Sequence, residues 1–132
     1  MPPRARTWLY WAATVWLTLE LVVGGLEDLA RGPAAIVAGD RVDVVVASLG
    51  YPVYVLLFLG GLKILGAAVI IAPGFLRLKE WAYAGSFFQI AIAAGSHALV
   101  GTDLVNLVYP IVVMLLTLVS WAMRPSDRML RD

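Results

Sequence analysis

Four polar side chains interrupt long runs of apolar residues in this sequence. They are Glu20, Lys63, Gln89 and His97. A carboxylate, an ammonium group and an imidazole can bind or release protons, and an amide can both donate and accept hydrogen bonds. Ionisable groups inside an apolar bundle usually pair with one another or face a polar cavity, because an isolated charge there is costly. These residue types therefore predict a polar site enclosed by apolar helices.

The polar residues that follow Trp81 have the spacing of one helix face. This face comprises Ser86, Gln89, Ala93, Ser96 and His97, at intervals of three, four and seven. We therefore expect it to point into the bundle. The candidate ligand-binding residues are Glu20, Lys63, Gln89, Ser96 and His97. Of these, Glu20, Lys63 and His97 are the candidates for proton transfer or catalysis.

Glu20 and Lys63 are predicted to lie at similar depths. With a rise of about 1.5 Å per residue, each lies about 18 Å from the start of its own apolar run, and the two runs are antiparallel. Side chains lean toward the N-terminus of their helix, which brings the two charged groups together. The pair can serve a ligand, or it can be a structural ion pair, with Gln89 and the serines as interhelical hydrogen bonds and His97 as a structural histidine. The sequence leaves both interpretations open.

The composition indicates a membrane protein. Of the 132 residues 61% are hydrophobic and 14% are charged, whereas soluble domains carry about 25% charged residues. Four runs approach the length of about 20 residues that crosses a bilayer. They cover about residues 8–25, 51–72, 81–100 and 104–123. We predict a single all-α domain over residues 1–132, an integral membrane four-helix bundle. The first run is longer than a signal-peptide core and no A-x-A-like site follows it, so we expect a span rather than a cleaved peptide.

The basic residues predict the orientation of these spans. One side of the predicted membrane would hold Arg4, Arg6, Arg77, Lys79, Arg124, Arg128 and Arg131, and the other side only Arg31 and Arg41. Cytoplasmic loops carry the excess of lysine and arginine, so both termini are expected in the cytoplasm. Tryptophans at the cytoplasmic ends and tyrosines at the outer ends fit the aromatic belts of a bilayer.

The loop over residues 26–50 can contain a short amphipathic helix. Asp40 is a suitable N-cap, Val42, Val45 and Val46 would form an apolar face, and Gly50 would end the helix. An irregular segment is the alternative, since β-branched valines also favour extended structure.

A diglycine occurs in both of the first two predicted spans. LVVGGLEDL at Leu21–Leu29 resembles LFLGGLKIL at Leu57–Leu65. Small residues let helices approach closely in lipid. We therefore interpret the similarity as helix packing rather than as a functional repeat.

Several kinds of chemistry are excluded or disfavoured. The chain has no cysteine, so dithiol redox chemistry and sulfur-ligated zinc or iron are excluded. The single histidine cannot form a three-histidine zinc site, and without a second ligand it argues against haem. We therefore predict no metal site. No basic stripe is present that could bind nucleic acid.

Two segments carry a resemblance to a known family. They read LGYPVYVLLFLGGLKILGAA at residues 49–68 and LKEWAYAGSFFQIAIAAGSH at residues 78–97. Together with the four predicted spans, they resemble the DoxX-like family of small bacterial membrane proteins. The resemblance implies a location in the bacterial cytoplasmic (inner) membrane. First spans in that family often carry a lysine near their end, where this chain has Glu27 and Asp28.

Two functions follow as hypotheses. The family takes its name from a subunit of a thiosulfate:quinone oxidoreductase, so the resemblance implies a redox-associated subunit, with a quinone or another lipophilic ligand bound in the polar cavity. Its partners would be the lipid bilayer, other membrane or redox subunits, or further copies of the chain. The alternative is a non-catalytic membrane assembly or chaperone-like protein whose buried charges fix the helix register. The sequence does not decide whether the protein is an enzyme.

Overall fold

The described part of the chain folds as five α-helices. The computed structural model describes residues 1–31 and 41–130. The helices are α1 (Pro3–Ala30), α2 (Val42–Ser48), α3 (Val55–Ile71), α4 (Leu76–Val100) and α5 (Leu104–Ala122), followed by a 3₁₀ turn over Ser126–Arg128. The all-α prediction is confirmed. Two of the described helices, α1 and α5, are long and apolar enough to cross a membrane, and α3 is a shorter apolar helix.

The four longer helices form one bundle around an apolar core. Helix α1 packs against α3 and α5, and α4 packs against the same two helices from the other side. The residues buried at the centre are Leu17, Leu21, Ala67, Ile70, Tyr83, Ile90 and Val113. We call the end of the bundle that carries both chain termini the terminal end, and the end near α2 the loop end.

Helix α1 extends beyond the end that hydropathy predicts. It continues past Gly25 to Ala30, and Arg31 ends it in the left-handed conformation with a φ of 51°. Glu27 and Asp28 are therefore helical rather than part of the loop. The longer helix adds two acidic residues to the bundle.

The two diglycine motifs meet where α1 crosses α3. A Cβ atom on Gly25 would lie 2.9 Å from the carbonyl oxygen of Gly60, and one on Gly60 would lie 2.7 Å from that of Gly25. Such distances leave no space for a side chain, so the two backbones are in direct contact. The predicted role of the motifs in packing is thereby confirmed.

Basic side chains cap the helices at the terminal end. Lys79 is 1% exposed and its ammonium group donates to the backbone carbonyls of Val69, Ile70 and Ala72. Arg128 donates to the carbonyls of Ile70 and Ile71. Cations near a helix C-terminus satisfy its free carbonyls and complement its dipole. The C-terminal turn of α3 is thus capped by two cations, Lys79 and Arg128, which are far apart from each other in the sequence.

Helix α2 is the short helix predicted for the loop. Its described part begins at Val42, after Arg41, and the proposed cap Asp40 lies outside the described residues. Arg41 contacts Asp43 at 3.0 Å, and this hydrogen-bonded guanidinium lowers the pKa of the Asp43 carboxyl. Gly50 follows the helix with a φ of 87°, as a helix-ending glycine should.

Candidate functional site

A polar cavity of about 190 Å³ lies in the half of the bundle near the loop end. All four long helices and one residue of α2 line it. Its polar lining consists of Glu20, Glu27, Asp28, Lys63, Gln89, His97, Asn106 and Tyr109. An apolar cavity of about 150 Å³ can hold benzene, so this cavity has room for one ring-sized group.

Lys63 forms an ion pair with Asp28 in the wall of this cavity. Its Nζ lies 2.7 Å from Oδ2 of Asp28, and the two side chains are 15% and 7% exposed. The pair lies close to the Gly25–Gly60 crossing, where a Cβ on Gly25 would be 3.2 Å from Cβ of Lys63. The direct partner of Lys63 is therefore Asp28, whereas the sequence predicted Glu20. The difference arises because α1 continues as a helix past Gly25.

Glu20 instead accepts a hydrogen bond from Tyr109 of α5. The phenolic hydroxyl lies 2.5 Å from Oε2 of Glu20. Lys63 remains close, since a Cβ on Gly24 would lie 3.5 Å from both its Nζ and Oε1 of Glu20. The ammonium group is therefore paired with Asp28 and lies no more than 7 Å from Oε1 of Glu20, a second carboxylate of the same helix.

Helix α4 contributes Gln89 and His97, as its spacing predicts. Both residues line the polar cavity. The Nδ1 atom of His97 lies 3.0 Å from the hydroxyl of Thr102, so one ring nitrogen is engaged. Ser96 lies outside the polar cavity, where its hydroxyl is 2.8 Å from that of Tyr51 and also donates to the carbonyl of Ile92.

The cavity lining carries more carboxylates than cations. Glu20, Glu27 and Asp28 supply three acidic groups and Lys63 supplies one basic group. The one ammonium group of the described lining is already paired with Asp28. Like charges repel strongly in a poorly solvated site. The lining therefore favours a neutral or cationic group over an anionic one.

The helices that form this cavity lie largely within a segment that matches a known protein family. The model of the DoxX-like family matches residues 12–120, which include every helix described above except the first residues of α1 and the end of α5. The chain belongs to the DoxX-like family of membrane proteins. No curated protein and no solved structure matches it significantly. The resemblance seen in the sequence is thus confirmed, and the family membership shows no particular ligand or reaction.

The polar cavity of this DoxX-like protein is closed toward the terminal end. Buried apolar side chains lie between it and that end, among them Leu17 and Val113, which are 0% and 1% exposed. Beyond them, the hydroxyl of Ser120 lies 2.7 Å from that of Thr14 and 2.8 Å from that of Tyr83. Water or a ligand must therefore reach the cavity from the loop end or from between the helices.

Nothing in the described part of the chain forms a metal site. No group of three or more histidine, cysteine, aspartate and glutamate side chains could hold an ion there. The cavity lining is instead a set of hydrogen-bond donors and acceptors around one ion pair. Such a set suits an organic polar group.

Four residues of the site were not predicted from the sequence. Glu27 and Asp28 were assigned to the loop, although the diglycine similarity aligns the segment around them with the segment around Lys63. Tyr109 was assigned to the interfacial aromatic belt, and Asn106 was not selected. Both follow the start of α5 and occupy the cavity face of that helix. Only the helix arrangement reveals this.

Proposed function

We propose that the protein is a four-span protein of the bacterial cytoplasmic membrane with both termini in the cytoplasm. Large apolar side chains are exposed around the whole bundle, and they include Leu19, Phe58, Leu62, Leu65, Phe88, Ile92, Leu99, Leu104 and Val105, each at least 59% exposed. In water such a surface would associate or aggregate. In lipid it is the expected surface, and the basic residues of the terminal end favour the cytoplasmic side.

Reporter fusions test this topology. A reporter after Gly32 should be located outside the cytoplasm and one after Gly74 inside it, since Arg31, the described residue before the first site, and Gly74 lie at opposite ends of the bundle. If both fusions report the same side, the four-span arrangement is wrong.

We infer that the polar cavity binds the head of a lipophilic ligand, with a quinone as the best candidate. The observation that carries this proposal is the combination of the Asp28–Lys63 pair and the Glu20–Tyr109 bond in the wall of one cavity. A quinone ring presents two carbonyl oxygens and carries no charge. It fits a ring-sized cavity that disfavours anions and offers an ammonium group and an amide as donors.

The residues of the chain would hold and orient such a ring. Lys63 and Gln89 are able to donate to a carbonyl oxygen, and Glu20 and Asp28 are able to hold protons near it. Redox chemistry would be supplied by the quinone itself. As a redox-associated subunit, the protein would bind the quinone and pass it to, or receive it from, another membrane protein. It would not reduce the quinone by itself.

Quinone binding can be measured directly. Protein purified in mild detergent should retain a quinone detectable by mass spectrometry, and a quinone analogue should bind saturably after delipidation. Glu20→Gln should weaken this binding because it changes the hydrogen bond to Tyr109 and the charge of the lining. Glu80→Gln is the matched control, since Glu80 has its own partners at the terminal end, Arg124 at 2.7 Å and Trp121 at 2.9 Å. Folded protein that neither retains nor binds a quinone would refute the proposal.

A second candidate function is supported by the position of the ion pair. Asp28 and Lys63 pair close to the α1–α3 crossing, where a buried charge pair can fix helix register. The protein would then be a non-catalytic assembly or chaperone-like protein. In that case, replacement of both Asp28 and Lys63 by neutral residues would leave the assembly role of the protein intact, provided that the bundle folds.

A further inference from the structure

Two largely apolar grooves between α3 and α4 lie next to the polar cavity. The outer groove has a volume of about 520 Å³ and lies beside α2. The terminal groove has a volume of about 390 Å³ and extends toward the terminal end as far as Leu78. Lys63 and Gln89 line the cavity and both grooves. The three spaces therefore adjoin one another at these two side chains.

We propose that the terminal groove holds the apolar tail of the ligand whose polar head lies in the polar cavity. This inference rests on the proposed function and specifies its ligand class. The ligand is an amphiphile with an uncharged, ring-sized head and a long apolar chain. It enters from the lipid between α3 and α4, not from water.

The lining of the terminal groove has the polarity that such a tail requires. Its walls are mainly aliphatic, with Leu59, Leu62, Leu65, Val69, Leu78 and Ala82. Lys63 and Gln89 lie at one end of it. The outer groove also contains Asp28, Ser96 and His97, so it is the more polar of the two. The tail is therefore assigned to the terminal groove.

Two glycines keep the terminal groove open. A Cβ on Gly85 would meet no atom within 4 Å, and one on Gly66 would meet only the hydroxyl oxygen of Ser86, at 4.0 Å. This contrasts with Gly25 and Gly60, where the helices touch. Along α4 the groove runs from Gln89 to Leu78, which corresponds to about 16 Å at about 1.5 Å per residue. That length accommodates an extended chain of the ligand.

The charge of the polar cavity distinguishes this ligand from a bulk phospholipid. A phospholipid carries an anionic phosphate, and the one ammonium group of the described cavity lining, that of Lys63, is already paired with Asp28. A phosphate beside the carboxylates of Asp28 and Glu20 would be repelled. An uncharged head avoids that repulsion while its chain fills the groove.

Photo-crosslinking in nanodiscs tests the proposal. The probe is a benzoquinone with a decyl chain and a diazirine near the chain end, and the competitor is the same quinone without the diazirine. We expect adducts that the competitor reduces, located on residues 59–69 of α3 and 78–86 of α4. The same ring without a chain is tested separately for binding, because it reports on the head site alone.

Glycine substitutions provide matched variants. Gly85→Leu fills the groove and should reduce the groove adducts about tenfold, which corresponds to about 1.4 kcal/mol. Gly95→Leu on the same helix is the control, since Gly95 is also open but lines none of these spaces. If Gly85→Leu does not fold, Gly66→Leu replaces it, with Gly61→Leu as its control on α3.

The outcomes distinguish failure of the tail assignment from failure of the proposed quinone site. Competed adducts on α1 or α5 would overturn the tail assignment and leave the head site standing. Groove adducts that the competitor does not reduce would mean that bulk lipid fills the groove, and would also overturn it. If neither the chained quinone nor the bare ring binds, the proposed function fails together with this inference.

Discussion

The ammonium group of Lys63 lies 2.7 Å from the carboxylate of Asp28, across the crossing of α1 and α3. The sequence predicted that Asp28 lies in a loop outside the membrane and that Lys63 lies in the middle of a span. Their contact links the packing of the bundle to the chemistry of its cavity. It also defines the most direct test of the structure.

Removal of one partner of this pair should destabilise the protein more than removal of both. Lys63→Met leaves the buried Asp28 carboxylate unpaired, which typically costs about 3 to 5 kcal/mol. The double variant Asp28→Asn with Lys63→Met should recover most of this loss. The measurement is the free energy of unfolding in detergent micelles.

The pair predicted from the sequence provides the control. Glu20→Gln with Lys63→Met should recover less stability, because Asp28 still lacks its partner. Should the Glu20 double variant be the more stable of the two, the ion pair would have been assigned to the wrong carboxylate.

Alanine at the helix crossing should be destabilising. A Cβ on Gly60 would lie 2.7 Å from the carbonyl oxygen of Gly25, and overpacking of this kind costs about 1 to 3 kcal/mol. Gly61→Ala should be neutral or stabilising, since nothing lies within 4 Å of its Cβ position and alanine is the better helix former by about 1 kcal/mol. Equal effects at Gly60 and Gly61 in thermal denaturation would contradict the α1–α3 contact.

Tyr109→Phe should destabilise the loop end of the bundle. It removes the hydroxyl that donates to Glu20 at 2.5 Å, and loss of such a donor to a partly buried carboxylate costs about 1 to 3 kcal/mol. Tyr54→Phe serves as the control because Tyr54 is 60% exposed. Hydrogen exchange of the α1 and α5 backbones should increase in the first variant and stay unchanged in the second. Similar exchange in both would show that the hydroxyl of Tyr109 has no structural role.

Lys79→Met should loosen the terminal end. Methionine preserves much of the side-chain volume but cannot donate to the carbonyls of Val69, Ile70 and Ala72. We expect a loss of about 1 to 3 kcal/mol, because the carbonyls of Val69 and Ala72 lose this donor while that of Ile70 keeps Arg128. Arg77→Met, at an exposed position of the same turn, should change stability by less than about 0.5 kcal/mol. A comparable loss at Arg77 would indicate a general charge effect instead of a helix cap.

The sequence by itself determined the class of fold and the family. Long apolar runs leave few ways to satisfy the backbone other than helices, so their number and approximate positions follow from hydropathy. The spacing of Gln89 and His97 determined the polar face of α4, because helical periodicity is a local property. The two segments around Lys63 and Trp81 carry the family resemblance, and the family match confirms it.

Only the tertiary structure decided which charges meet. Glycine costs about 1 kcal/mol in a helix interior, so the local sequence favours an end of α1 at Gly25. The close contact of Gly25 with Gly60 reverses that preference, because packing against α3 compensates for it. Asp28 thereby becomes the partner of Lys63, and Glu20 becomes the acceptor of Tyr109. These choices depend on distances between residues that are far apart in the chain, and no local pattern encodes such distances.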